Sequence, residues 1–168
     1  RGQPVIVVGD SKQMPPTSFF ALAADEEDEG SISVSASNSL VVGDTVKTGN
    51  DSSAEITFLD GNTMELEADT EIEITSVSTD TGGTTVAITQ TIGTVITRLT
   101  QLLDPGSSYE TVTSSGVTGV RAKPANPATA IVGVTGNGTT WVVNQKGDVR
   151  TEGQGIELLV PQGQRGLI

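Results

Sequence analysis

Apolar and polar residues alternate in short segments through most of the chain, and turn residues separate these segments. The clearest case is AEITFLDGNTMELEADTEIEI, residues 54–74, where Asp60-Gly61 marks a hairpin between two alternating runs. The acidic residues between the apolar ones are expected on the exposed face, so a pair of catalytic carboxylates is the weaker interpretation. We predict that the following apolar residues form the buried face: Ala54, Ile56, Phe58, Met64, Leu66, Ala68, Ile72 and Ile74.

Turn signals continue to the end of the chain and recur about every eight to twelve residues. Pro161 divides the last apolar segment, IELLVPQGQRGLI. This spacing is typical of sandwiches, barrels and short solenoids, and no fixed-period repeat emerges. We therefore predict that residues 30–168 form one all-β domain, either an antiparallel-rich β-sandwich or a short irregular β-solenoid.

Residues 1–29 differ in pattern and are predicted to form an N-terminal strand and linker arm. The run PVIVV, residues 4–8, indicates one buried or docked strand. Pro15-Pro16 favours an extended connection, and the acidic run Asp25–Glu29 is typical of a solvated linker.

The apolar residues Val5, Ile6, Val7 and Val8 leave two interpretations open. The strand docks within its own chain, or it is donated to an open sheet edge of a neighbouring copy through main-chain hydrogen bonds. Donation would produce a swapped oligomer or a polymer.

Charge and composition exclude several functional classes. The chain has 168 residues, a formal net charge of -12, no Cys and no His. Such a negative surface repels nucleic acid, and the missing residues remove disulfides, thiolate metal sites and the commonest general base. No apolar stretch approaches the roughly 20 residues of a membrane helix. We expect no enzyme activity, no metal, no cofactor and no membrane insertion.

Three segments share a further pattern: LVVGDTVKTGNDSSAEITFLDGNTMELEADTEIEI, residues 40–74, SGVTGVRAKPANPATAIVGV, residues 115–134, and TTWVVNQKGDVRTEGQGIELLVPQGQ, residues 139–164. Together they resemble the periplasmic β-domain of the FecR (ferric-citrate regulator) family, over about residues 30–168. The resemblance implies the fold, an extracytoplasmic location and action through protein contact. In place of the Gly-Thr that usually follows the family's Val-Arg pair, this chain has Ala122-Lys123-Pro124. The matching residues are Gly43, Asp44, Thr48, Gly49, Ala54, Phe58, Asp60, Gly61, Leu66, Thr70, Val120, Arg121, Gly147, Val149, Gly163 and Gln164.

The opening stretch VIVVGDSKQMPPTSFF, residues 5–20, resembles motif III of superfamily 1 helicases. That resemblance implies that Gln13 contacts the γ-phosphate region of a nucleotide. The sequence contains no G-x-x-x-x-G-K-[ST] phosphate loop, without which Gln13 has no nucleotide to sense. A fragment of a helicase-like ATPase carrying an inserted β-domain is therefore the alternative hypothesis.

Five residues are candidates for contact or modification. Arg121 and Lys123 offer cationic donors to a protein partner, although Arg121 could equally neutralise neighbouring carboxylates. Trp141 is a candidate contact residue or a plug at the rim of the core. Asn50 and Asn137 begin N-x-[ST] sequons on predicted turns.

Together these features predict a non-catalytic extracytoplasmic domain that works by protein contact. It would be a cell-envelope binding module or a structural subunit of a surface assembly or filament, with homo-oligomers or polymers as the expected form. A signalling module that binds a receptor or a partner's edge strand is a further possibility.

Overall fold

The computed structural model describes residues 5–8, 38–58, 60–80, 83–100, 107–121, 123 and 126–168, with only the backbone at 5–8, 38, 39 and 80. Within these ranges no helix is long and apolar enough to cross a membrane. The regular elements are the strands β1 (Val5–Val8), β2 (Asn38–Leu40), β3 (Thr45–Lys47), β4 (Ala54–Thr57), β5 (Thr63–Leu66), β6 (Glu71–Asp80), β7 (Gly83–Leu99), β8 (Ser108–Val112), β9 (Val117–Arg121), β10 (Ala128–Val134), β11 (Thr140–Lys146), β12 (Asp148–Gly153), β13 (Ile156–Leu159) and β14 (Arg165–Leu167).

The strands form one curled, open sheet whose two halves share β7. The first half, sheet A, has the order β2-β1-β4-β5-β7-β10-β11-β14. The second half, sheet B, has the order β3-β6-β7-β8-β9-β12-β13. Residues 83–92 of β7 pair in sheet B, and residues 93–99 pair in sheet A. All pairs are antiparallel except β7 with β8, which is parallel.

Gly93 is the point where β7 passes from one half of the sheet to the other. Its φ is +91°, and a Cβ atom there would lie 2.3 Å from the Thr70 hydroxyl oxygen. That hydroxyl accepts a hydrogen bond from the backbone N–H of Thr94 at 2.9 Å. A glycine is therefore required at the bend both by the backbone angle and by the close approach of Thr70.

One hydrophobic core fills the space between the two halves. Sheet A contributes side chains such as Ile56 and Met64, and sheet B contributes side chains such as Ile72 and Ile88, all of them fully buried. The all-β prediction is confirmed, and the arrangement is that of a two-layer sandwich with a shared strand.

The alternation predicted for residues 54–74 is present in the β4–β5 hairpin, and its apolar residues are buried with one exception. The prediction for Ala68 was wrong, because Ala68 is exposed. β5 ends at Leu66, and the chain then turns through Asp69, whose φ is +54°. Ala68 lies within this turn, where the period-2 pattern no longer holds, so it does not share the inner face.

β1 is an interior strand of sheet A. It pairs antiparallel with β2 on one side and with β4 on the other, with Val7 opposite Asn38 and Ile56. The predicted N-terminal strand therefore belongs to the same sheet as the rest of the chain. The boundary predicted between residues 29 and 30 lies outside the described residues.

Candidate functional site

The sandwich is open along the side where β13 ends sheet B and β14 ends sheet A. Among the described strands, β13 pairs with β12 alone and β14 pairs with β11 alone. Between them lies a groove of about 460 Å³. Its lining residues are Ser114, Ser115, Thr151, Gly153, Gln154, Ile156, Leu158, Leu167 and Ile168.

Large apolar side chains are exposed around this groove. Ile156 is 62% exposed, Leu158 is 59% exposed and Leu167 is 71% exposed, while Leu159 on the other face of β13 is 61% exposed. Contiguous exposed apolar groups at a sheet edge are typical of interaction sites. We refer to β13, β14 and the groove between them as the open edge.

Charged residues occupy the outer face of sheet B beside the open edge. Arg121 lies opposite Asp148, with no ion pair to any described residue. Asp148 instead accepts a hydrogen bond from Arg150 at 3.2 Å and lies 3.8 Å from the Lys123 ammonium. The bonds that Arg150 donates to Glu157 and Asp148 raise the pKa of Arg150 above its ordinary value. Arg121 and Lys123 are thus brought onto one face, as contact candidates require.

Trp141 lies on the outer face of sheet A, away from Arg121. Its ring covers Gly133, where a Cβ atom would be 2.1 Å from the indole. The Arg165 guanidinium carbon sits 4.5 Å from the ring centroid, which is a cation–π contact. The structure therefore gives Trp141 a packing role on the sheet surface, and its contact with a partner stays a prediction.

The two sequon asparagines lie on exposed turns. Asn50 is in the turn between β3 and β4. The Asn137 side-chain oxygen accepts hydrogen bonds from the Thr135 hydroxyl and, at 3.1 Å, from the Thr139 backbone N–H. Both positions are accessible, and their glycosylation stays a prediction.

A buried polar network joins the β4–β5 hairpin to β8. The Tyr109 hydroxyl donates to the Asp60 carboxylate at 2.6 Å, and the Asn62 side-chain N–H donates to the same oxygen at 2.8 Å. Asn62 also accepts a bond from the Thr100 backbone N–H at 2.9 Å, and the Phe58 ring meets Tyr109 edge-on at 5.1 Å. Burial and the neighbouring Asp60 carboxylate raise the pKa of Tyr109.

The sequence pattern does not reveal this network, because it marks Asp60 as a hairpin signal, as one of a series of exposed acids and as a residue of the FecR resemblance. The signal that could have indicated it is the single Tyr of the chain, since a buried Tyr hydroxyl requires a partner.

The structure offers few features that bear on catalysis. No group of three or more Asp or Glu side chains in the described ranges is placed to hold a metal ion. Gln13, the residue that carries the helicase resemblance, lies outside the described residues. The absence of enzyme activity therefore stays a prediction.

Comparisons with known proteins support the fold. No protein-family model matches the chain, and no curated protein matches it. Two crystal structures of a protein assigned as an anti-sigma factor from Parabacteroides distasonis are similar in fold. One has a TM-score of 0.60 at 13% identity and the other 0.58 at 12% identity. Each match covers 74% of this chain and 54% of that chain, so the chain spans about half the length of these relatives.

Proposed function

We propose that this chain is a non-catalytic, extracytoplasmic β-domain of FecR-like type that works by binding another protein. The observation that carries the proposal is the open edge, where Ile156, Leu158 and Leu167 expose most of their apolar surface around one groove. Burying a Leu or Ile side chain fully contributes about 1.5–3 kcal/mol, so a partner that covers these residues gains several kcal/mol.

The fold likeness to a protein assigned as an anti-sigma factor agrees with a regulatory role exercised through protein contact. The resemblance to the FecR family agrees with a location outside the cytoplasm. Protease digestion of spheroplasts with an intact inner membrane tests that location, since a domain outside the cytoplasm is cleaved without lysis of that membrane.

The absence of Cys makes a direct test of the binding surface possible, because one introduced thiol can be labelled uniquely. A photo-crosslinker attached through Leu167→Cys should join the domain to another protein when purified copies or envelope proteins are present. Val42→Cys is the control, since Val42 is also exposed, at 44%, but lies in the turn between β2 and β3. The proposal fails if Leu167→Cys gives no more adduct than Val42→Cys.

A structural subunit that assembles by strand donation is the second candidate. The supporting observation is that β1 uses both of its edges, with β2 and β4, and is joined to β2 by the long connection of residues 9–37. In a swapped assembly, β1 would pair in the same way with β2 and β4 of a neighbouring copy. The linker and the protein concentration therefore decide between the monomer and the swapped form.

Strand donation is tested with two single variants, Val7→Cys and Ile56→Cys, whose positions face each other in the β1–β4 pair. If β1 is donated, an oxidised mixture of the two variants gives a disulfide-linked heterodimer at micromolar concentration. Donation is refuted if the mixture gives no heterodimer and the double variant, with both substitutions in one chain, forms its disulfide only within that chain. Deleting residues 1–17 should also abolish any assemblies built this way.

The helicase-like alternative is supported by no family model. ATP turnover by the purified chain would favour it over a non-catalytic domain.

A further inference from the structure

β13 has the properties of an acceptor edge. It is the last strand of sheet B, and all four of its residues are exposed. Natural sheets usually protect such an edge with charges or Pro, whereas β13 carries three large apolar side chains and only Glu157. Three large exposed apolar side chains on one four-residue edge strand, in a chain of net charge -12, indicate a surface that another strand covers.

The backbone of β13 has hydrogen-bonding groups on the side where no described strand pairs with it. The Val160 N–H donates to the Val149 carbonyl at 2.9 Å, which makes this a hydrogen-bonded pair of the β12–β13 ladder. Hydrogen-bonded and non-hydrogen-bonded pairs alternate in an antiparallel ladder, so Leu158 with Thr151 is again hydrogen-bonded. The N–H and C=O groups of Glu157 and Leu159 therefore point away from β12, toward an incoming strand.

The side chains of β13 divide between two faces. Leu158 lies opposite Thr151 and Ile156 lies opposite Gly153, and both belong to the groove lining. Leu159 lies opposite Arg150, on the outer charged face of sheet B. A strand added to β13 would place alternate side chains in the groove.

No charged side chain lines the groove. Its nine lining residues include no Asp, Glu, Lys or Arg, although the chain as a whole has 21 acidic and 9 basic residues. A charged side chain that entered the groove would lose water without gaining a counter-ion. The lining therefore selects for uncharged apolar side chains at alternate positions of the occupant.

We propose that β13 accepts an extended segment of a partner protein as an additional strand, with uncharged apolar residues at alternate positions filling the groove against Leu167 and Ile168. This inference rests on the proposed protein-binding function and specifies its partner and its mode. Pairing of β13 with a second copy is less favoured, because one four-residue edge contact would have to overcome the repulsion between two chains of net charge -12, whereas a donated β1 would gain pairings along both of its edges.

Two capped synthetic peptides test the choice of side chains. The first, fluorescein-Thr-Val-Thr-Val-Thr-Val-Thr-amide, has three apolar residues at alternate positions, and the second replaces these three with Lys, whose charge is attracted to the chain as a whole. Fluorescence polarisation should show binding of the first peptide and at least about tenfold weaker binding of the second, which corresponds to about 1.4 kcal/mol. Equal binding of the two peptides would overturn the proposal.

Two matched variants locate the binding face. Leu158 and Leu159 have nearly equal exposure, 59% and 61%, but lie on opposite faces of β13. Leu158→Asp should weaken binding of the apolar peptide at least about tenfold, and Leu159→Asp should change it less than about twofold. Ile156→Asp serves in place of Leu158→Asp if that variant does not fold. Equal losses at both faces would contradict the assignment of the groove.

The backbone is tested separately. Amide hydrogen exchange at Glu157 and Leu159 should slow when the peptide binds, since these N–H groups become hydrogen-bonded. Leu159→Pro removes an N–H that β12 does not use, so it should preserve the fold and abolish binding, unlike Leu159→Asp.

The outcomes separate this inference from the general function. Adducts at Leu167→Cys without peptide binding, or peptide binding without slowed exchange, would leave the protein-binding function standing and refute strand addition. If the domain instead forms dimers that Leu158→Asp abolishes, the edge binds a second copy, and this result would also refute the proposal.

Discussion

Tyr109 couples the stability of the sandwich to alkaline pH, and Tyr109→Phe isolates that coupling. The side chain is 1% exposed, and its hydroxyl donates to Asp60 at 2.6 Å. Phe retains the ring and its edge contact with Phe58 but removes the donor. Because a hydrogen bond to a charged group contributes roughly 1.5–3 kcal/mol, we expect the free energy of unfolding to fall by about 2 kcal/mol near pH 7.

The pH dependence distinguishes this contact from ordinary packing. Burial and the neighbouring Asp60 carboxylate raise the pKa of folded Tyr109 above its ordinary value of 10.0. A group whose pKa is raised on folding stabilises the protein fully below the unfolded pKa, and that stability is lost as the pH rises toward the folded pKa. Above pH 10 the wild type should therefore lose about 1.4 kcal/mol per pH unit from this group.

Urea unfolding of the wild type and Tyr109→Phe at several pH values measures both effects. The stability gap of about 2 kcal/mol at pH 7 should close by about pH 11.5 and reverse above it, since a loss of about 1.4 kcal/mol per pH unit above pH 10 affects only the wild type. Phe58→Leu is the control, because it changes the ring contact and keeps the pH slope. As Tyr109 is the single Tyr of the chain, tyrosinate absorbance reports it directly. Tyrosinate formation near pH 10 in folded protein, or parallel pH profiles of wild type and Tyr109→Phe, would refute the reasoning.

Two further predictions concern the bend and the cation–π contact. Gly93→Ala places a Cβ atom 2.3 Å from the Thr70 hydroxyl at a φ of +91°, so we expect the free energy of unfolding to fall by about 3 kcal/mol or more. Gly61→Ala is the control and should cost about 1 kcal/mol, because the φ there is +79° and the space is open. If both variants shift the urea midpoint equally, the contact with Thr70 adds nothing to the cost of the backbone angle. Arg165→Ala should cost about 0.5–1 kcal/mol and shift the emission of the single Trp, Trp141, and unchanged emission would exclude stacking in solution.

The β4–β5 hairpin was predictable because its information is local. Alternation placed Ile56 and Met64 on one face, and Asp60-Gly61 marked the reversal. The prediction failed at Ala68, just beyond the end of β5. The apolar–polar alternation continues in the sequence past Leu66, but the pairing with neighbouring strands decides where the strand ends and the turn begins.

The open edge was only partly predictable. The segment IELLV indicated a last strand that Pro161 divides from the residues after it, and this is where β13 and β14 are found. Nothing in these letters marks β13 as the end of a sheet, because a strand paired on both sides can have the same composition. The Asp60–Tyr109 contact was equally hidden, since its partners are 49 positions apart.

The sequence by itself determined the β class, most strand positions and the exposed acidic faces, because period-2 alternation and turn residues act over a few neighbouring positions. Tertiary structure alone decided that β7 serves both sheets through a bend at Gly93, that β1 lies between β2 and β4, and that β13 and β14 end their sheets on the same side. These features depend on hydrogen bonds between strands distant in sequence. Strand order, which local pattern does not encode, therefore created the groove.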